Sequence, residues 1–456
     1  MDTLQKIVSF SKRRGFIFPC SEIYGGVSGI WEFGHLGALM KQNLRNYWIK
    51  RFVFEESNIV LIDGAVIMHP KVWKTSGHLE NFTDLLSECR NCHKRFRTDH
   101  LVAGRFIGEG KAKKESQCPE CGGESFTKPR NFNLMFKTFL GSVEDSSSQV
   151  FLRPETAQSM FVNFKNVLNS NRLLEIPFGI AQIGKCFRNE ITTGDFIFRV
   201  RELEIAEIEF FVKPGDDEKY FEIWLEKWEK FFLDLGIKKE NLRRFEHPKE
   251  SLAHYSKRTI DIEYRFPFGW GELAGIANRT DYDLNLHEKA SGEDLNYFDI
   301  KTKTKYHPFV IEPTMGLERI ILALLIENYK EIKGGRKTTT ETAKEKEILL
   351  SLPKEISPIK VGVLPLVKNK PEIVKKAKEI YQMLKPHLMC QYDEIGSIGR
   401  RYRRQDEIGT PWNITVDFQT LEDDSVTVRE RDSMEQERIY TNQLQKYFFE
   451  RLNNFI

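Results

Sequence analysis

The chain has 456 residues, 40% apolar and 12% aromatic, and its 69 basic and 66 acidic side chains leave a formal net charge of +3. At roughly 100–200 residues per domain, this is enough for two or three domains with sizeable cores. The near balance of charge excludes a disordered polyelectrolyte but leaves room for local basic patches that meet nucleic acid.

In chain order, the N-terminus lacks the apolar core and small-residue cleavage site of a secretion signal. Gly37 to Arg51 is the first helical stretch, with Leu39, Leu44, Trp48 and Phe52 at helical spacing. Ser87 to Lys128 sets Cys89-x-x-Cys92 and Cys118-x-x-Cys121 among Lys, Arg and Gly, and reads as an inserted subdomain over 87–128. Such pairs in a chain of seven cysteines favour a tetrahedral structural Zn²⁺ over disulfides, because thiolates are soft donors; reduced free thiols are the alternative. His93 beside Cys92 could stand in as a ligand, while Cys20, Cys186 and Cys390 read as core. Arg153-Pro154-Glu155-Thr156-Ala157-Gln158 reads as a helix start behind a proline.

Phe187-Arg188-Asn189-Glu190 and Phe198-Arg199-Val200-Arg201-Glu202-Leu203-Glu204 flank a loop that contains Gly194, and Phe198 to Val212 is strongly β-like. Two antiparallel strands with a charged inner face suit a charged, planar ligand, since the arginine fork stacks on bases and grips phosphate. A solvated hairpin laced with ion pairs is the plainer reading of this stretch alone. Glu312 to Arg319 runs into the apolar IILALLI, which puts Arg319 in the first turn of a buried helix, a ready anion site. A helix start with Glu318 on its dipole is the plainer reading there. That apolar run, Ile320 to Ile326, is far below the about 20 residues that cross a bilayer, so a cytoplasmic protein with no membrane partner is expected.

Residues 330–347 lack apolar periodicity and read as a linker or exposed hairpin. Beyond them come a strand in PIKVGVLPL, a helix with Ile373, Val374, Ala377, Ile380, Tyr381 and Leu384 on one face, and a hairpin. In that hairpin Ile414, Val416 and Phe418 alternate before a turn at Glu422–Ser425, and Val426 and Val428 alternate after it. Residues 358–456 therefore form an α/β domain. Arg400, Arg401, Tyr402, Arg403 and Arg404 interleave charge with an aromatic ring, as single-stranded RNA requires; a solvated basic strand edge is the alternative.

Taken together, FRNE with FRVRELE and the later GLER resemble motifs of the class II aminoacyl-tRNA synthetases. RPETAQ, GWGELAGIANRTDYDL, VIEPTMGLER and the C-terminal run from GSIGRRYRR are similar to the homodimeric glycyl-tRNA synthetase family, over nearly the whole chain. WEFGHLGALMKQNLRNYW resembles the family's first helix and dimer region, although Phe33-Gly34-His35-Leu36-Gly37 departs from its usual Tyr-Gly-Pro-Leu-Gly. Thr314 stands where the family has serine after Glu312-Pro313.

The resemblance implies an α+β fold: a class II antiparallel sheet flanked by helices over 1–350, and an anticodon-binding domain over 358–456. It implies a glycine–tRNA ligase that joins glycine to ATP, releases pyrophosphate and passes glycine to its tRNA. Arg188 and Arg319 are the implied catalytic arginines, on the α-phosphate and on the γ-phosphate and adenine side. Glu190 would hold the adenine amino edge and Phe198 stack on the base. Asn189, Arg199, Val200, Arg201, Leu203, Leu273, Gly316, Leu317 and Glu318 complete the ATP segments, with Glu202 and Glu272 on Mg²⁺.

Glycine offers only its ammonium and its small size, so its pocket needs carboxylates. The implied segments hold Arg97, Glu155, Leu203, Glu204, Ile205, Ala206, Glu207, Arg279, Glu312, Pro313, Thr314, Met315 and Gly316. Whether Glu204 or Glu207 faces inward depends on strand phase, which the sequence leaves open. The cysteine-rich insertion, with Lys111, Lys113 and Lys114, would reach the tRNA acceptor stem. Competing readings are a catalytically dead RNA-binding relative and a class II synthetase for another amino acid. Retention of Arg188, Glu190, Glu272 and Arg319 argues against the first, and the carboxylate-rich segments against the second.

Overall fold

The computed structural model describes residues 3–98, 101, 117–336 and 346–452. The chain packs into two compact units, one formed by Met1–Phe18, Glu32–Trp48 and Ala323–Ile456, the other by Pro19–Trp31 and Ile49–Leu322. The sequence reading kept all of 1–350 together. Packing instead groups helix Thr3–Arg14 and helix His35–Ile49, up to Trp48, with the C-terminal segments.

The larger unit is built on a seven-stranded sheet. Its strands in chain order are β1 (Ile59–Leu61), β2 (Phe178–Phe187), β3 (Glu202–Val212), β4 (Leu242–Glu246), β5 (Arg258–Phe266), β6 (Gly269–Thr280) and β7 (Phe309–Gly316). They lie side by side as β4-β5-β6-β7-β3-β2-β1, antiparallel throughout except for the β1–β2 pair.

Both faces of β3 are covered, and the alternation of its side chains decides what each face meets. Phe210 packs on Trp224 of helix Asp217–Asp234, whose Phe221, Trp224, Leu225, Trp228, Phe231 and Phe232 recur at helical spacing. Phe211 points the other way, onto Phe161 and Phe164. Fully burying each such aromatic is worth about 1.5–3 kcal/mol.

The expected charged hairpin is shorter than its sequence suggests. The β2–β3 ladder ends at the Phe187–Glu202 pair. Arg188 to Glu190 and Phe198 to Arg201 therefore lie in the connecting loop, not on paired strands. The Arg201 guanidinium holds that loop by donating to the Glu190 carbonyl at 3.2 and 3.0 Å and to the Ser28 carbonyl at 2.6 Å.

In the smaller unit, strands Cys390–Tyr392, Val361–Pro365, Trp412–Val416, Ser425–Glu430 and Gln436–Tyr440 form a mixed sheet in that spatial order. Helix Pro371–Leu384 buries Ile373, Ala377, Ile380 and Leu384 against it. The predicted hairpin is present, with Ile414 opposite Val428, although its first strand stops at Val416 and Thr420–Asp423 forms a helical turn. Tyr329–Lys333 pairs with Lys346–Leu350 as two antiparallel strands; 337–345 of the expected linker fall outside the described residues.

Candidate active site

The centre of the large sheet is apolar apart from a set of buried charges. Arg153 anchors the segment that precedes them, donating to the carbonyls of Lys185 at 2.8 Å and Gly64 at 2.7 Å. Its guanidinium lies over Gly184, where a Cβ would come within 2.0 Å of it, so a side chain at position 184 would displace it. Held this way, Glu155 and Thr156 face β3. The Thr156 backbone N–H and hydroxyl both donate to one oxygen of Glu207, at 3.0 and 2.5 Å.

Arg279, at the end of β6, is 1% exposed. Its fork takes both oxygens of Asp283 at 2.7 and 3.0 Å and both of Glu312 at 3.0 Å, with Tyr255 stacked 3.7 Å over it. Glu155 accepts from Gln158 at 3.2 Å and meets His78 at 3.2 Å. Burial pushes the Glu155 carboxyl up, but the charges of His78 and Arg279 outweigh it and hold the group well below the usual carboxylate range.

Glu207, Glu209 and Glu312 bring carboxylate oxygens within 4.8 Å of one another. Burial pushes Glu209 and Glu312 well above the ordinary carboxylate range; Arg279 opposes this and the neighbouring acids add to it. Both Glu209 oxygens lack a hydrogen-bond partner. Such a crowd of acids is relieved by an arriving cation.

Glu155, Glu207, Glu312, Thr314 and Tyr255 line one cavity of about 290 Å³ that also takes in Arg188, Glu272, Asp261 and His247. The phase of β3 is thereby fixed: Glu207 faces the cavity, and Glu204 is buried on the opposite face, where its backbone N–H donates to Glu318 at 2.9 Å. Thr314 sits opposite both Glu207 and Gly275, between two strands of the floor. Ile205, Ala206, Met315 and Leu317 are buried core; Leu203, Pro313 and Gly316 accompany them on β3 and β7 without lining the cavity.

At the other end, Arg188 lines the cavity, its Nε on the Pro154 carbonyl at 3.1 Å, and makes no ion pair among the described residues. Burial lowers its pKa, and Glu190 leads the acids that raise it to a net increase. Arg319 stacks 4.4 Å over Phe198, donates to the Phe198 carbonyl at 3.1 Å and meets Glu272 at 2.7 Å. Phe198 is itself wedged against Phe266 and Phe268. Glu190 lies 3.8 Å from Arg199, and the Asn189 N–H is on the Leu134 carbonyl at 2.7 Å. Val200 and Leu273 are buried.

Glu202, Arg97 and Arg201 also lie elsewhere. Glu202 pairs with Lys185 at 2.5 Å and Arg97 with Asp84 at 2.9 Å; neither lines the cavity. Arg201 is occupied with carbonyls, as described above. Sequence reading missed Thr156, Tyr255, Asp283, His247 and Asp261. His247 lies 2.8 Å from Asp261, whose carboxyl is pushed up to about 7, first by burial and then by Glu272, against the pull of His247. A polar residue inside an apolar β-run, such as Asp261 in TIDIEY, was the available signal.

The four expected cysteines converge. Cys89 lies 3.7 Å from Cys121 and Cys92 lies 3.6 Å from Cys118, with all four sulfurs within 4.8 Å of one another. Four convergent soft donors fit Zn²⁺. His93 turns away, its ring 3.4 Å from Glu88. Lys111, Lys113 and Lys114 lie outside the described residues.

The basic run Arg400 to Arg404 is on helix Ile398–Ile408, not a strand edge. Helical spacing turns Arg401 inward, 1% exposed, to donate to the carbonyls of Pro365, Glu394 and Gly396, so it is structural. The Tyr402 hydroxyl meets Thr415, and its ring lies under Arg429. Arg400 is exposed; Arg403 and Arg404 are half-buried, and Arg404 pairs with Asp393.

Residues 136–329 match the class II tRNA synthetase core domain for G, H, P, S and T, and residues 360–451 an anticodon-binding domain. The chain is 50% identical to a glycine–tRNA ligase of Thermobifida fusca, covering 99% of this chain and 98% of that one. It is 51% identical to one of Streptomyces coelicolor, covering 99% of each. Among solved structures, prolyl-tRNA synthetase of Giardia lamblia with prolyl-adenylate superposes with TM-score 0.67 at 16% identity, covering 99% of this chain and 80% of that one. The corresponding enzyme of Cryptosporidium parvum with L-proline and AMP gives 0.62 at 14%, covering 100% and 80%; at such identities both likenesses speak to the fold alone. With half its residues shared from end to end with glycine–tRNA ligases, on a class II core and an anticodon-binding domain, the chain belongs to the glycine–tRNA ligase family.

Proposed function

We propose that the 290 Å³ cavity is where glycine and ATP react. Glu155, Glu207 and Glu312 hold the glycine ammonium, and Tyr255 and Thr314 wall off any larger side chain. Arg188 holds the α-phosphate. The glycine carboxylate attacks the α-phosphorus, the bond to the β-phosphate oxygen breaks, and pyrophosphate leaves. The terminal ribose hydroxyl of the tRNA then attacks the glycyl carbonyl and displaces AMP.

Arg188 acts by positioning and by meeting the charge that builds on the phosphoryl oxygens; removing such a donor costs roughly 10²–10³ in rate. Adenine stacks on Phe198. Carbon atoms pack at about 3.5–4 Å, so the 4.4 Å between Arg319 and Phe198 admits no base until the guanidinium swings aside. Glu272 offers the oxygen donor that Mg²⁺ takes, and the ion would neutralise the triphosphate and its leaving group. Glu202, occupied by Lys185, is not kept in that role.

Excluding larger amino acids by size makes an editing site unnecessary, because one missing methylene is worth only about 1–3 kcal/mol and glycine has none to lose. The cysteine cluster holds a structural Zn²⁺. Arg400, Tyr402, Arg403 and Arg404 belong to the anticodon-facing surface of a cytoplasmic homodimer.

The convergence of Glu155, Glu207 and Glu312 with Arg188 on one cavity carries this reading. ATP–pyrophosphate exchange measured with each amino acid tests it. Exchange with glycine alone is expected. Exchange with none would mark a catalytically dead binder, and exchange with a larger residue another synthetase.

A further inference from the structure

The smaller unit contains a basic cavity that the activation chemistry leaves unused. Helix Thr3–Arg14 ends in Lys12, Arg13 and Arg14. Gly15 then turns the chain at φ +77°, and its missing side chain admits the His35 ring, which a Cβ would meet at 2.2 Å. Arg404 and Tyr392 form the facing wall of a space of about 460 Å³, within the range of small-ligand sites.

The charges around this space do not cancel. Asp393 takes Arg404 at 2.6 Å, and Glu407 takes Arg14. Arg13 is exposed and makes no ion pair among the described residues. The Arg14 Nε is buried without an acceptor. Burial first depresses the Arg14 pKa, and Arg13 and then Arg404 add to it as guanidinium groups that repel Arg14. An anion between them would relieve that repulsion.

We propose that this cavity holds one nucleotide of the tRNA, with its phosphate on Arg13 and Arg14 and its base against Tyr392. Cationic groups beside an aromatic face are the combination that single-stranded nucleotides recognise. Tyr392 and Arg404 fall within the residues that match an anticodon-binding domain, which favours RNA over other anions as the occupant. The proposal rests on the ligase reading, which supplies the tRNA. A free nucleotide would offer the same chemistry, and the test separates the two.

Arg13→Ala is the clean variant, because Arg13 is exposed and makes no ion pair among the described residues. Binding of the glycine tRNA, measured against salt concentration, should weaken roughly three- to tenfold, with the salt slope falling by about 1, as for one lost phosphate contact. A phosphate protected from iodine cleavage in phosphorothioate tRNA should lose its protection, and Arg13→Lys should restore part of it. Unchanged affinity, slope and protection would overturn the proposal. Equilibrium dialysis with AMP supplies the other arm: tight AMP binding that Arg13→Ala abolishes while tRNA binding stays intact would also overturn it, in favour of a small-anion site. Failure of the unaltered protein to bind tRNA would instead refute the ligase reading.

Discussion

Replacing Glu207 by glutamine changes one atom and one charge in the cavity, and its effect can be worked from the structure. The Thr156 N–H and hydroxyl converge on a single Glu207 oxygen. A glutamine carbonyl accepts both bonds, so the local fold survives. What is lost is the negative charge facing Glu312 and Glu155. A hydrogen bond to a charged group is worth about 1.5–3 kcal/mol, or roughly 10- to 150-fold. Glycine KM in pyrophosphate exchange should rise by that factor, while ATP KM stays within about twofold. Glu204→Gln is the control: Glu204 lies on the opposite face of β3 and should leave glycine KM alone. A glycine KM unmoved by Glu207→Gln, or moved equally by Glu204→Gln, would refute the assignment of the ammonium site and the strand phase behind it.

Purified protein should carry about one zinc per chain, and Cys118→Ser should lose it and speed tryptic cleavage within 87–128; metal analysis and a proteolysis time course check this. Lys360 is 9% exposed, its ammonium donates to the carbonyls of Lys354 and Glu355 at 2.8 Å, and burial pushes its pKa down to about 7, with Glu355 in partial opposition. Its unfolded pKa is near 10.4, so between pH 7 and 10 the unfolded chain binds more protons and stability rises with pH. That rise, on the order of 2 kcal/mol between pH 7 and 9, should appear in urea midpoints and flatten in Lys360→Met; an equal slope in both proteins would show that the two carbonyls keep Lys360 charged.

Much of this molecule was legible in its sequence, wherever the signal is local. A C-x-x-C pair bends on itself within one turn, so the cysteine cluster could be read and its sulfurs do converge. The C-terminal strand, helix and hairpin followed from apolar spacing, and the segments that carry Glu155, Arg188, Glu272 and Glu312 to the cavity stand out as short, specific strings. Spacing failed where tertiary contacts set direction. Arg401 sits in a run of arginines that reads as one basic surface, yet the helix turns it onto three backbone carbonyls while Arg400 stays in water. Glu204 and Glu207 are equally acidic in sequence; only the pairing of β3 with β2 and β7 decides which of them enters the cavity. Asp283, Tyr255 and Asp261 matter because folding brings them onto Arg279 or into the cavity; a buried charge needs a paired partner, and while Asp283 is one helical turn from Arg279, Glu312 and Tyr255 reach it only through the tertiary fold. Residue identity selected the chemistry, and long-range packing selected which side chains can perform it.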